Sequence, residues 1–488
     1  MIIRGRSFQI GGYFFATIAS AAASFFSVPL LTRLLGTEQF GRWSLLEPLQ
    51  LLLSQIVLLG INYGIVKQIN FDKSLPFSTF ISLFKCSQPL LILISIITFF
   101  ALPQLGFSRQ DSGWFALLVY SEAVFMLTLA LYRAADTVSG YATGSIVRVL
   151  LFLLALVLSV TGGWYLTTDI LGVLTWRLVS TIVAIASSLY LIKIMNKEPS
   201  YFHMDYGSSS WQLYSDAVRY GWPMLVTGLL TMIIEFADRY ILKAYFDYST
   251  LAHYVVYMKI AAFLNPLIIA PIGLWWPTER FKRRQTADGG MLFFRQVALI
   301  VLTVLLLAGG ALWLLSPWLI TWFAPGAPQK PIVIFLLILS VVFMGMGAPL
   351  NIGLLDSGKT HLNIYGVFGG AVIHLVLCFA LIPTYGLIGA SLSTALSYLA
   401  YTVLLNFLSQ RQYAVPFAYL QMLFLMVISL SELSVIYLFL GHGGLYSCVV
   451  TTLVYLLVFS LSAAVFLWYT KTSFPLILKK KHASPYAN

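Results

Sequence analysis

Long apolar segments recur along this sequence from its beginning to its end, and they limit its fold more than any other feature. Many of them exceed about 18 residues, the length of helix that crosses the hydrocarbon core of a bilayer. Hydrophobic residues make up 59% of the 488 residues and charged residues only 9%, whereas soluble domains average about 25% charged residues. The sequence therefore predicts an all-α, polytopic membrane protein.

The apolar segments predict about fourteen transmembrane helices separated by short polar turns. The first segment is longer than the hydrophobic region of a usual signal peptide, and further membrane segments follow it. We therefore interpret it as an uncleaved first helix. The predicted helices cover residues 8–31, 43–66, 79–101, 114–135, 145–166, 169–195, 217–244, 251–275, 292–323, 331–355, 362–382, 386–409, 418–441 and 445–470.

Lysine and arginine residues predict the orientation of these helices. If the N-terminus is cytoplasmic, inward segments hold most of the 29 basic residues. The outward loops then hold only Arg33, Arg42, Arg109, Lys243 and Lys330. Basic residues concentrate in cytoplasmic loops, so both termini are predicted to be cytoplasmic. The net charge of +12 then reflects topology and attraction to anionic lipid, and we predict no binding to nucleic acid.

The stretch "GLLDSGKT", Gly353–Thr360, matches the phosphate-loop pattern G-x-x-x-x-G-K-[ST]. A working phosphate loop needs a β-strand before it and a helix after it whose N-terminus holds the phosphates. Both flanks of this stretch are predicted membrane helices instead. We therefore interpret it as a glycine-rich cytoplasmic turn and predict no nucleotide, no cofactor, no metal and no enzyme activity.

A polar stretch divides the first twelve predicted helices into two groups of six. "FGRW" and "LAHY" begin the second helix of each group, 211 residues apart, and Asp136 and Asp356 follow the fourth. An even number of crossings returns the second group to the same orientation, which predicts a parallel repeat around a central cavity. The predicted units are an N-lobe (1–195), a cytoplasmic linker (196–216), a C-lobe (217–410) and two further helices with a basic tail (411–488).

Ionisable residues inside predicted spans are costly in a bilayer and mark candidate functional positions. Glu235, Asp238 and Arg239 fall on one face of the seventh helix. Arg177 and Lys259 lie about 12 Å from the outer ends of their helices, at about 1.5 Å per residue, which is deep for a side chain that extends to the membrane surface. The alternative for the seventh helix is a Glu235–Arg239 pair that only stabilises packing.

Acidic residues in the spans are candidates for ion coupling. Glu47 precedes Pro48 in the second helix, and a proline frees a backbone carbonyl that can help to bind a cation or proton. Glu122 lies in the fourth helix, and Glu235 and Asp238 complete the predicted coupling set. Alternatively, these carboxylates neutralise nearby arginine and lysine residues.

Three stretches carry a family resemblance: "FFSVPLLTRLLGTEQFGRWSL", "FADRYILKAYF" and "LIPTYGLIGASLSTALSYL". They resemble the polysaccharide-exporting flippases called Wzx-type, of the multidrug/oligosaccharidyl-lipid/polysaccharide (MOP) superfamily. The resemblance covers nearly the whole chain. It implies a V-shaped, two-lobed transporter that moves lipid-linked sugar across the bacterial inner membrane, and the two C-terminal helices fit the fourteen-helix members.

The resemblance implies an undecaprenyl-pyrophosphate-linked oligosaccharide as substrate, for O-antigen, capsule or exopolysaccharide synthesis. A pyrophosphate needs opposed cations at low dielectric, and the arginine fork binds phosphate with two hydrogen bonds. We therefore predict that Arg177, Arg239 and Lys259 receive the headgroup. Arg33 is predicted near the outer exit, with the anchoring of a helix end as its alternative role.

Energy is predicted to come from an H⁺ or Na⁺ gradient or from downstream polymerisation. A polysaccharide polymerase and its chain-length machinery are candidate partners. Three other functions stay open: a multidrug/cation antiporter of the same superfamily, a lipid II flippase and a membrane scaffold. The antiporter predicts an acidic, largely arginine-free cavity, which differs from the basic residues found in these spans.

Overall fold

A computed structural model describes residues 2–70, 76–135, 137–161, 169–195, 210–285, 290–356, 362–440 and 445–481. Within these ranges all regular elements are helical. The α-helices are α1 (Ile2–Leu58), α2 (Ile61–Asn70), α3 (Pro76–Ala101), α4 (Arg109–Ala134), α5 (Val138–Thr161), α6 (Ile170–Met195), α7 (Ser210–Tyr245), α8 (Tyr248–Ala261), α9 (Ala270–Arg284), α10 (Met291–Phe323), α11 (Pro331–Leu350), α12 (Ile352–Asp356), α13 (Asn363–Tyr385), α14 (Leu387–Gln412), α15 (Tyr419–Leu440) and α16 (Leu445–Lys481).

Twelve helices in these ranges are long and apolar enough to cross a membrane. One of them, Ile18–Leu58, contains two predicted spans, because Gly36 (φ 68°, ψ 174°) turns the chain sharply between them. The 36-residue α7 is also long enough to cross, although it is not one of the twelve. With Ile18–Leu58 counted as two spans and α7 added, the described helices make fourteen crossings. The predicted all-α, multi-pass membrane fold is confirmed. We call the end of the bundle that carries Gly36 the outer end and the opposite end the inner end, following the predicted orientation.

The helix α7 begins earlier than the sequence analysis predicted. Residues 210–216, assigned there to the linker, form its first turns. Tyr214 and Ala217 are buried against Leu58 and Ile61, so contact with another part of the fold extends the helix toward the inner end. Residues 196–209 of the predicted linker lie outside the described ranges.

The eighth span is broken in its middle. The helix α8 ends at Ala261, and a π-helical turn at Asn265–Ile269 connects it to α9. Pro266 has no N–H to donate to a regular helix, which accounts for a break at this point. Such turns occur frequently at functional positions in helices. Three basic residues, Lys282, Arg283 and Arg284, lie in the last turn of α9.

The helices form two groups that meet along a narrow set of elements. In the N-terminal half α1 packs against α5 and α4, and α6 packs against both of these helices. In the C-terminal half α14 packs against α11 and α13, and α13 packs against α7, while α15 and α16 contact α10. The halves meet where α1 and α2 contact α7 and α8. Apolar side chains such as Phe100, Phe379 and Leu461 are exposed on the outside of the bundle, as a lipid-facing surface requires.

Candidate functional site

An ion pair joins the two halves of the bundle within the predicted membrane. Lys259 Nζ on α8 donates to both carboxylate oxygens of Glu47 on α1, at 2.9 and 3.1 Å. The side chains are 30% and 36% exposed, respectively, so they face a cavity rather than a dry core. The two residues are 212 positions apart. That separation is close to the 211-residue offset of the predicted repeat, so related helices face each other here.

Arg239 on α7 lies next to this pair and also reaches the N-terminal half. Its Nη1 donates to the Ser44 carbonyl oxygen at 3.3 Å, and its guanidinium lies 4.9 Å from the centre of the Phe236 ring. Within the described residues no carboxylate oxygen lies within 4 Å of the guanidinium nitrogens of Arg239. The alternative Glu235–Arg239 ion pair is therefore not formed, and the charge of Arg239 is left for another anion.

Arg177 on α6 is the third cation of this region. Its guanidinium stacks over Phe152 at 5.3 Å from the ring centre, and its buried Nε has no hydrogen-bond partner in the described ranges. Together with Glu47 and Lys259 it lines a small cavity in the N-terminal half. A buried guanidinium N–H without an acceptor is unfavourable, so this geometry favours a ligand that accepts hydrogen bonds, such as an anion.

A larger cavity of about 240 Å³ lies on the C-terminal side of the ion pair. Because Lys259 lines both cavities, the cationic residues form one continuous region across the interface between the halves. The larger cavity is lined by Glu235, Phe236, Arg239, Met258, Lys259, Ala261, Ala262, Asn265, Leu337, Ser340, Val341, Met344, Thr394 and Tyr398.

Asp238 lies behind this cavity, inside the C-terminal half. It is fully buried, and it accepts hydrogen bonds from the Tyr254 hydroxyl, from Thr394 Oγ1 at 3.1 Å and from the Arg239 amide at 2.8 Å. Neutral donors therefore stabilise the carboxylate, and among the described residues no basic side chain of α7 forms an ion pair with it. Tyr254 and Thr394 are site residues that the sequence analysis missed.

Glu122 is part of a separate ion pair in the N-terminal half. Arg148 Nη1 and Gln50 Nε2 each donate to its carboxylate at 2.8 Å, and Arg148 stacks over Phe125 at 4.7 Å. This contact corresponds to the alternative in which a buried carboxylate neutralises a nearby cation. A coupling role for Glu122 stays a prediction.

Arg33 lies at the outer end, apart from both cavities. Its side chain is exposed, and Nη2 donates to the Trp322 carbonyl oxygen at 3.3 Å, in the last turn of α10. The neighbouring Thr32 Oγ1 donates to the Phe323 carbonyl. Arg33 thus contacts a helix end, where a positive charge is favourable, and its role at the outer exit stays a prediction.

The halves touch at both ends of the bundle, with the charged cavities between the two contacts. At the outer end Arg42 and Lys243 lie over the Tyr248 ring, at 5.0 and 4.3 Å from its centre. At the inner end Gly60 meets Gly221 so closely that a Cβ atom on either would overlap the other's backbone. Small residues permit such backbone contact between membrane helices.

The phosphate-loop match has a packing explanation at its first glycine. Gly353 on α12 donates its amide hydrogen to Ser409 Oγ at 2.7 Å, and a Cβ atom at this position would overlap the Ser409 carbonyl oxygen. The preceding element is α11, and the described ranges contain no strand. The rest of the match, from Ser357 to Thr360 and so including Lys359, lies outside those ranges.

Solved structures of two kinds of transporter share this fold. A lipid II flippase, MurJ, in an inward closed conformation has a TM-score of 0.64 at 15% identity, with 91% of this chain and 97% of that chain covered. An inward-facing MATE family multidrug resistance transporter of the MOP superfamily has a TM-score of 0.58 at 12% identity, with 80% and 94% covered. A MOP superfamily transporter from Pyrococcus furiosus, described as having a binding pocket of reverse polarity, has a TM-score of 0.55 at 11% identity, with 83% and 95% covered.

A family comparison covers the first lobe and the interface helices. No curated protein sequence matches the chain. The family model described as "Polysaccharide biosynthesis protein" matches residues 10–278, which is more than half of the chain and includes all eight predicted site residues. The chain therefore belongs to the polysaccharide biosynthesis protein family and has the MOP superfamily fold, as the resemblance implied.

Proposed function

We propose that this protein is a flippase for an undecaprenyl-pyrophosphate-linked oligosaccharide, which it moves across the bacterial inner membrane by alternating access. The product would serve O-antigen, capsule or exopolysaccharide assembly. One observation carries the proposal: Arg177, Arg239 and Lys259 meet at the interface between the halves. Of these three, only Lys259 has a carboxylate partner within the described ranges.

Pyrophosphate is the ligand whose chemistry fits these cations best. It carries at least two negative charges, and a low-dielectric site must balance them with cations and hydrogen-bond donors. The guanidinium groups of Arg177 and Arg239 each have donors directed to neither a carboxylate nor a phosphate. Two phosphoryl groups bound to these forks would satisfy charge and hydrogen bonding together.

Glu47 is the anion that Lys259 binds in this structure. Its carboxylate is bound by Lys259 and shares the N-terminal cavity with Arg177. An incoming pyrophosphate would compete with Glu47 for Lys259 and so break the ion pair that connects the two halves. Binding would thereby favour a different arrangement of the lobes, because a ligand shifts an equilibrium only through different contacts in its two states.

Ion coupling in this proposal involves the acidic residues of the interface. Glu47, once released from Lys259, is a candidate to take up a proton, and Asp238 offers a buried carboxylate with hydroxyl neighbours for H⁺ or Na⁺. Glu235 and Glu122 complete the predicted set. Arg33 is proposed to meet the headgroup near the outer exit. Polysaccharide polymerase and chain-length machinery remain proposed partners, and both termini are proposed to be cytoplasmic.

The basic interface disfavours a cation antiporter, because Arg177 and Arg239 would repel a cationic drug. The same cations suit any polyprenyl pyrophosphate, including lipid II. The family match favours a polysaccharide precursor over lipid II, since the likeness to MurJ extends to the fold alone.

The proposal is tested by deleting the gene and analysing surface glycans and lipid-linked intermediates. We expect loss of one surface polysaccharide and accumulation of its undecaprenyl-pyrophosphate-linked unit. Wild-type protein should restore export, whereas Arg177→Gln and Arg239→Gln should not, at equal protein level. Arg133→Gln, at an exposed arginine outside both cavities, is the matched control. Normal surface glycans in the deletion strain would refute the function.

A further inference from the structure

The larger cavity has polar groups that the protein leaves without hydrogen-bond partners. Among the described residues, no side chain or backbone group forms a hydrogen bond with the Glu235 carboxylate, the side-chain amide of Asn265 or the Tyr398 hydroxyl. All three side chains line the cavity. Because their donors and acceptors face the cavity rather than another part of the protein, this set points to a ligand rich in hydroxyl or amide groups.

The same cavity also has apolar lining residues, which include Phe236, Met258, Leu337, Val341 and Met344. A pyranose ring has the matching character, with polar hydroxyl groups along its edge and C–H groups on its faces. A carboxylate accepts hydrogen bonds from hydroxyl groups, and an asparagine amide both donates and accepts. An aromatic ring packs against an apolar face.

We propose that this cavity binds the sugar attached directly to the pyrophosphate, and that Glu235, Asn265 and Tyr398 determine which sugar is accepted. The proposal rests on the proposed function and extends it to specificity. Arg239 and Lys259 also line this cavity, so a sugar in it lies next to the cations assigned to the pyrophosphate. The first sugar is covalently attached to the pyrophosphate, and the two sites are correspondingly adjacent.

The size of the cavity limits what it holds. Its volume of about 240 Å³ is below the range of about 300–1,000 Å³ for pockets that take drug-sized ligands. It accommodates one ring, and the rest of an oligosaccharide must extend out of it. These residues would therefore select the first sugar of the oligosaccharide and would not discriminate among the sugars that follow it.

The cations in the cavity also argue against a bound cation at Glu235. Arg239 and Lys259 line the same space, and like charges in a low-dielectric site repel strongly. Glu235 was predicted to couple ion movement, and the sugar contact gives its carboxylate a different role. The two roles predict different consequences for Glu235→Gln, which the experiment below separates.

The test measures binding of five probes to the purified full-length protein in detergent. They are undecaprenyl pyrophosphate and its conjugates with glucose, galactose, N-acetylglucosamine and N-acetylgalactosamine. For the wild type we expect affinities among the four conjugates to differ by about tenfold, the effect of one hydrogen bond to a charged group. Glu235→Gln, Asn265→Leu and Tyr398→Phe should reduce this spread to less than about threefold. The affinity of Asn265→Leu and Tyr398→Phe for undecaprenyl pyrophosphate itself should stay within about twofold of the wild-type value. Glu235→Gln removes a negative charge beside Arg239 and Lys259, so its affinity for undecaprenyl pyrophosphate should rise.

Controls separate this proposal from the function on which it rests. Tyr401→Phe, one helical turn from Tyr398 and outside the cavity lining, should keep the wild-type spread. Arg177→Gln should weaken all five probes alike. If wild type binds none of the probes, the proposed function fails. If it binds undecaprenyl pyrophosphate but shows no spread, or the three variants keep the spread, only the sugar site is refuted. If Glu235→Gln keeps the wild-type spread of affinities but its transport no longer depends on an ion gradient, Glu235 is assigned to ion coupling.

Discussion

Lys259 gives two hydrogen bonds to the carboxylate of Glu47, and through them α8 holds the second span of α1 across the interface between the two halves. The pair lies between a contact at the outer end, around Tyr248, and one at the inner end, where Gly60 meets Gly221. Opening either end while this pair holds would strain the charged contact. The pair is therefore placed to link occupancy of the cavities to the arrangement of the halves.

Glu47→Gln should strengthen the binding of undecaprenyl pyrophosphate and slow its transport. The carboxylate no longer competes for Lys259, and one charge-assisted hydrogen bond corresponds to roughly a tenfold change in affinity. Lys259→Gln should weaken binding by a similar factor. Microscale thermophoresis on purified protein measures both, with Glu279→Gln on α9 as the control. Equal loss of affinity in the two variants would contradict the competition.

Arg239→Ala should abolish complementation while protein level stays near wild type, and Arg239→Lys should restore it only in part. A lysine supplies a point charge where the guanidinium supplies a two-pronged donor. Because no Glu235–Arg239 pair forms within the described ranges, the double variant Glu235→Gln/Arg239→Gln should stay inactive. Surface polysaccharide on gels is the readout. Full activity of the double variant would show that Arg239 only balances Glu235.

Gly221→Val should prevent closure of the inner end. Its side chain would overlap the backbone of Gly60, so α2 and α7 could not approach, and transport should stop. A Ser340→Cys reporter in the larger cavity should then react several-fold faster with an impermeant maleimide in inside-out vesicles. Gly273→Val is the matched control, because a Cβ atom there meets no atom within 4 Å. Unchanged reactivity of the Ser340→Cys thiol would refute the closure of the inner end by Gly60 and Gly221.

Gly353→Ala should destabilise the protein, whereas Lys359→Ala should leave export largely intact. A methyl group at Gly353 overlaps the Ser409 carbonyl, and overpacking costs about 1–3 kcal/mol. Thermal unfolding and protein level measure the first variant, and complementation measures the second. Purified wild-type protein should hydrolyse no ATP. ATP hydrolysis that Lys359→Ala abolishes would restore the phosphate-loop interpretation and overturn the transport mechanism proposed for this chain.

Single cysteines in a cysteine-free background should reveal the orientation. Positions within 196–216 and Lys479→Cys should react from the cytoplasmic side, and Lys330→Cys from the outside, as the distribution of basic residues predicts. Labelling of intact cells and of inside-out vesicles with an impermeant maleimide gives the answer. Labelling of either predicted cytoplasmic site from the outer side would contradict the parallel repeat, because equivalent positions would then no longer be separated by six crossings.

The sequence analysis identified the cations of the interface but not their partners. Arg177, Arg239 and Lys259 stand out because a charge within an apolar span is costly wherever the span packs. The partner of a charge has no such local signature. Glu122 and Arg148, for example, lie on neighbouring helices and pair only because α4 and α5 come together. The neutral lining residues Asn265 and Tyr398 were missed, although an asparagine beside Pro266 in an apolar span was a usable signal.

By itself, the sequence determined the membrane-spanning helical fold with about fourteen crossings, and it identified the charged residues inside the apolar spans. These follow from the length of apolar runs and from the cost of charge in a bilayer, which are properties of each segment alone. Only the tertiary structure decided that Lys259 binds Glu47, that Glu235 leaves Arg239 unpaired, and that Gly60 and Gly221 close the inner end. Such contacts depend on the distance and rotation between helices, and those are set by packing among many side chains far apart in the chain.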